Sequence, residues 1–156
     1  MPYEKVGKSE PVCIVDDLPF NIPDSWEWVR LSELVSKEIK RGKSPKYSET
    51  PGIQVFAQKC NVKTGGIDMS LAKYLDQETI AKYPEEEYLQ DYDIIVNSTG
   101  NGTLGRIGVF HDSDRIDASV IVPDSHVTIV RLLPIVDREY ILSVIRYYQP
   151  YLEKFG

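Results

Sequence analysis

The run Gly100-Asn101-Gly102-Thr103-Leu104-Gly105 has the spacing G-x-G-x-x-G and directly follows the apolar stretch Asp93–Asn97. Where such glycines close a strand and open a helix, the helix N-terminus holds a dinucleotide pyrophosphate and a later acid binds the ribose. Asp124 lies near the distance such an acid would need. The continuation Arg106-Ile107-Gly108-Val109-Phe110 is a poor helix start, being glycine-bearing and β-branched. The spacing therefore predicts a glycine-rich, hairpin-like loop whose backbone can approach another molecule closely. Use of this loop by a small nucleotide- or cofactor-binding enzyme is the alternative function. Asn97, Ser98, Thr99, Asn101, Thr103 and Arg106 give the loop hydrogen-bonding groups of little bulk, suited to phosphate oxygens and base edges. The same residue types also serve turn backbone.

A second chemistry-bearing stretch is Lys37–Lys46, where Lys37, Lys40, Arg41, Lys43 and Lys46 stand against Glu38 alone. A solvated helix end would account for it. So would phosphate engagement, with Arg41 placed to read guanine bidentately and Tyr47 as a packing surface. Catalytic constellations are weaker. Asp124-Ser125-His126 is contiguous, whereas a nucleophilic triad converges from separate positions. His111, Asp112 and Asp114 fall in a predicted turn, and Glu85–Glu87 reads as a solvated surface. Cys13 and Cys60 have no metal-knuckle spacing. No metal and no cofactor is expected, and the chain reads as non-catalytic.

The elements that must position these groups come from a chain of 156 residues, 42% hydrophobic and 27% charged, enough for one core and too apolar for disorder. The net charge of −6 argues against nucleic acid only as a sum. Acids concentrate between Asp76 and Asp93 while the basic run forms an edge of its own. No apolar run approaches the ~18 residues of a membrane span, so a cytoplasmic protein without a membrane partner is expected.

Residues 1–17 read as a tail or linker, 18–150 as one domain and 151–156 as a short C-terminal tail. Trp26, Trp28 and Arg30 alternate as in a short strand, and Leu31, Leu34, Val35 and Ile39 recur at helical spacing. Further strands are expected at 53–58, 94–97, 106–110, 118–122 and 127–132. A short helix capped by Asp76 and a final amphipathic helix capped by Asp137 complete the pattern, the latter carrying Ile141, Leu142, Val144, Ile145 and Tyr148 on one face. Trp26, Trp28, Ile94, Val96, Val127 and Ile129 are the core candidates. The fold class is α+β: one mixed domain with a twisted, mainly antiparallel sheet and a few peripheral helices.

Three segments together carry a family resemblance. LPFNIPDSWEWVRLSEL followed by RGKSPKY resembles the opening of a target recognition domain of a type I restriction-modification specificity subunit. YLQDYDIIVNSTGNGTLGRIGVF is similar to that family's strand–glycine loop–strand passage, and DSHVTIVRLLP with REYILSVIRYYQ to its last strand and terminal helix. The resemblance implies sequence-specific recognition of double-stranded DNA, directing adenine methylation and cleavage by partner methyltransferase (M) and restriction (R) subunits. It covers one recognition domain and no long spacer helix, so a fragment or a half-subunit is implied. On physical grounds the expected DNA-contacting residues are Arg41, Lys43, Lys46 and Tyr47 of the basic run and Lys59, Asn61 and Lys63 of AQKCNVKTGG. Ser98, Thr99, Asn101, Thr103 and Arg106 of the glycine loop complete the set.

Overall fold

A computed structural model of the protein describes residues 3–64, 66–116 and 120–155. The chain divides into two compact units, Met1–Glu33 and Leu34–Gly156, so residues 18–33 group with the N-terminal stretch.

The first unit is built on an antiparallel hairpin of β1 (Tyr3–Glu4) and β2 (Val12–Cys13). Arg30 grips the Glu4 carboxylate with two guanidinium nitrogens. Phe20 meets Trp28 edge-on at 5.0 Å. The alternation Trp26–Arg30 forms no strand, because β1 and β2 pair with each other and no third strand lies beside them among the described residues. Trp26 is 56% exposed and thus not a core residue.

Among the described residues the second unit holds two four-stranded sheets and one α-helix. Its strands are β3 (Lys40–Arg41), β4 (Tyr47–Ser48), β5 (Gln54–Phe56), β6 (Lys73–Leu75), β7 (Ile94–Asn97), β8 (Ile107–Val109), β9 (Ile121–Pro123) and β10 (Val127–Val130). One sheet has the order β3-β10-β7-β8 and is antiparallel throughout; the other, β4-β6-β5-β9, is antiparallel except for the parallel pair β5–β9. The α+β class and the antiparallel bias are as expected, but the strands occupy two sheets rather than one. The switch falls at Pro123, which has no N–H to extend a ladder, and the short turn Asp124–His126 carries the chain into β10. The expected strand at 118–122 appears as β9, while Ala118 and Ser119 lie outside the described residues.

Phe56, Phe110, Ile95, Ile121, Val127 and Ile129 form the main core, and Val55, Leu75, Tyr83 and Val122 a second one. The predicted helix over 31–39 is corrected: only Leu31–Glu33 makes a 3-10 turn. Beyond it Val35 bridges Leu132, and the Ser36 N–H donates to the Arg131 carbonyl at 2.8 Å. A free strand edge satisfies the backbone of this partly β-branched stretch better than an isolated helix would. Asp76 caps a 3-10 helix, Gln77–Lys82. Asp137 caps α1 (Arg138–Leu152) by accepting the Tyr140 N–H. Leu142 is buried, whereas Val144 and Tyr148 are exposed and do not share its face against the core.

Asp93 at the foot of β7 is fully buried and receives Arg131 through two contacts of 2.8 Å. The same guanidinium donates to the carbonyls of Tyr88 and Glu86. This joins β7, the chain beyond β10 and the acidic segment in one polar knot.

Cys60 is buried and its thiol is pushed up to about 11 by desolvation, while Cys13 is exposed. A folded value above the unfolded one means the contribution of Cys60 to stability is complete below about pH 9 and fades as pH climbs toward 11. We expect Ellman's reagent to titrate one thiol rapidly in the folded protein and a second only after denaturation. Equal rates for both would contradict the burial.

Candidate nucleic-acid interface

The register decides where the loops emerge. Strands β5 and β9 run parallel and end together, at Phe56 and Pro123. At that same end β3 and β7 finish, while β8 and β10 begin. Segments 57–64, 98–106 and 124–126, with Gly42–Ser44 after β3, therefore form one loop cluster. Cross-bonds tie it together: Asp124 N–H to the Phe56 carbonyl, Ser98 N–H to the His126 carbonyl, and Gly42 N–H to the Val127 carbonyl. A Cβ on Gly42 would stand 2.3 Å from the Asp124 carbonyl oxygen, so this close approach needs glycine.

Beneath the cluster lies an amide scaffold. Asn97, fully buried, donates its side chain to the Gln58 carbonyl at 2.9 Å. Asn61, also fully buried, donates to the carbonyls of Ile95 and Arg106 and to the Asn97 amide oxygen. Asn61 is thus a framework residue, which corrects its expected place among the contact residues: its amide has no route to an outside ligand.

The glycine loop folds onto this scaffold. Gly100 has φ +108°, and a Cβ there would lie 2.0 Å from Gln58 Oε1. The Thr103 hydroxyl donates to that same oxygen at 3.1 Å. Arg106 turns back to the carbonyls of Gly102 (2.9 Å) and Asn61 (3.3 Å). Thr103 and Arg106 thus shape the loop, and Asn101 stands exposed at its tip. Ser98 shares a hydroxyl contact with Thr128. After Gly105 the chain enters β8 rather than a helix. The helix N-terminus on which a pyrophosphate would rest is missing, and the dinucleotide geometry with it.

The basic run is split by the fold. Arg41 ends β3, is exposed, and has no ion pair among the described residues. Lys59 and Lys63 in the cluster are likewise exposed and without an ion pair there. Lys43 is committed inward, to the buried Glu87 at 3.2 Å and to the Lys82 carbonyl. Lys40 also reaches Glu87, at 3.4 Å. Lys46 sits at the other end of the second sheet, 2.6 Å from Asp76, where its hydrogen bond holds the Asp76 carboxyl below the usual range. The Lys73 ammonium lies 4.5 Å over the Tyr47 ring. The row Arg41–Thr128–Val96–Ile107 points to one face of the first sheet, so Arg106, adjacent to Ile107, belongs to the other face. The two arginines do not converge, and Arg41 rather than Arg106 is the outward cation.

The cluster also contains residues outside the expected contact set. Gln58 anchors the glycine loop, Ser44 meets Ser125 at 3.3 Å, and His126 meets Thr99 at 2.5 Å. Asp124 accepts the His126 N–H at 2.7 Å, and burial pushes its carboxyl above the ordinary value. The Asp-x-His spacing was the available signal, as a side chain bonding the backbone two residues on rather than as part of a triad.

No protein-family model and no curated protein matches the sequence. The fold, however, is found in solved structures. The HsdS subunit from Thermoanaerobacter tengcongensis shares it with a TM-score of 0.62 at 19% identity, over 87% of this chain and 31% of that one. A chain from a structure on the complex assembly and conformational transition of the type I R-M system also has a TM-score of 0.62 at 19% identity, over 90% of this chain and 33% of that one. The protein is therefore an α+β domain of the fold present in those chains, and it spans about a third of their length.

Proposed function

We propose that this chain is a target recognition domain of a type I restriction-modification specificity subunit, reading one part of a duplex DNA target. The observation that carries the reading is the loop cluster, which gathers Arg41, Lys59, Lys63 and the glycine-loop tip at one end of a fold shared with HsdS. Phosphate contacts need unpaired cations, and base reading needs donors and acceptors on rigidly held loops. The cluster offers both, on an amide scaffold that fixes the loop backbones. Methylation and cleavage then belong to the M and R subunits, and this chain contributes target choice. The cytoplasm is the matching compartment; among the described residues no helix is long and apolar enough to cross a membrane.

Co-expression with a type I methyltransferase subunit and genome-wide mapping of methylated adenines tests this. Exchanging this domain for another recognition domain is expected to change half of the methylated motif and leave the other half alone. An unaltered motif after the exchange would refute the specificity role.

A further inference from the structure

Resting on that reading, we infer that His126 is a further DNA-contacting residue, presenting its Nε2 as a fixed donor. An exposed histidine is ordinarily a free rotor, but this one is built in. Its N–H is bound by the Asp124 carboxylate at 2.7 Å and its carbonyl by the Ser98 N–H at 2.8 Å. Its Nδ1 is 2.5 Å from the Thr99 hydroxyl. Turn, carbonyl and ring are each held by a different group, and Nε2 is the ring nitrogen that Thr99 leaves for an outside partner.

The chemistry follows from that assignment. With the Thr99 hydroxyl donating to Nδ1, the neutral ring carries its proton on Nε2 and offers a donor to a phosphate oxygen or a guanine edge.

Fluorescence anisotropy with a labelled mixed-sequence duplex, over a salt series, tests this with the full chain. His126→Ala is expected to bind several-fold more weakly than the wild type, with an unchanged Tm. His126→Gln retains an N–H donor and is expected to hold more of the affinity than His126→Ala. A His126→Ala variant with wild-type affinity would overturn the role of His126 and leave DNA reading standing. Wild-type protein that ignores the duplex at low salt would overturn both.

Discussion

The triple variant Arg41→Ala, Lys59→Ala, Lys63→Ala should fold normally and lose most of its affinity for duplex DNA. These three cations leave the loop cluster exposed and without ion pairs among the described residues, so their removal strands no buried partner. Removing each phosphate-binding cation should flatten the dependence of log affinity on log salt by about 0.9. If Arg41 reads a guanine bidentately, its replacement also removes about 1–3 kcal/mol of discrimination against other bases. Lys43→Ala is the contrasting control. Its ammonium serves Glu87, only 4% exposed, and its removal should show as reduced stability rather than as a changed salt slope. Anisotropy titrations with thermal melts separate the two. A triple variant with wild-type affinity and slope would take the loop cluster out of the interface.

The largest stability effect is expected at Arg131. Replacing it by methionine leaves the fully buried Asp93 carboxylate without its cation and deprives the Glu86 and Tyr88 carbonyls of their donors. Breaking a buried pair from one side costs about 3–5 kcal/mol, a large fraction of the ~5–15 kcal/mol typical of a domain. The double variant Arg131→Met, Asp93→Leu should recover much of this, because no charge is then stranded. Chemical denaturation of the wild type and the variants measures the cycle. A loss below about 1 kcal/mol for the single variant would mean that water reaches Asp93 and that the polar knot is no determinant of the fold.

Wherever local residues decide the outcome, the pattern of the chain was readable. Strand β10 lies where a period-two apolar run predicts it, with Val127 and Ile129 in the core beside Phe56 and Phe110, and β7 lies at the short β-favouring run 94–97. Helix α1 begins after Asp137, whose carboxylate supplies the cap that its position promised. The stretch from Leu31 to Ile39 misled, since helical spacing of apolar residues cannot register that a strand edge beyond β10 is open to Val35 and Ser36. Trp26 and Trp28 alternate as a strand would, yet the Trp26 N–H goes to the Pro23 carbonyl in a turn, and no neighbouring strand lies beside this stretch among the described residues.

The candidate site divides along the same line. That Arg41, Lys59, Lys63 and the glycine loop have the chemistry to engage a polyanion was legible from residue type. That Lys46 and Lys43 are committed elsewhere was not, because a cation's partner is set by topology: Asp76 and Glu87 are distant in sequence and adjacent only after folding. Composition and periodicity by themselves determined the α+β class, the caps and the glycine hairpin, all of which depend on neighbours a few residues away. The tertiary structure alone decided that Asn61 is buried scaffold, that Arg106 turns inward and that His126 is held at its Nδ1 by Thr99. Burial and hydrogen-bond pairing between distant segments exist only once the two sheets have closed on their common core.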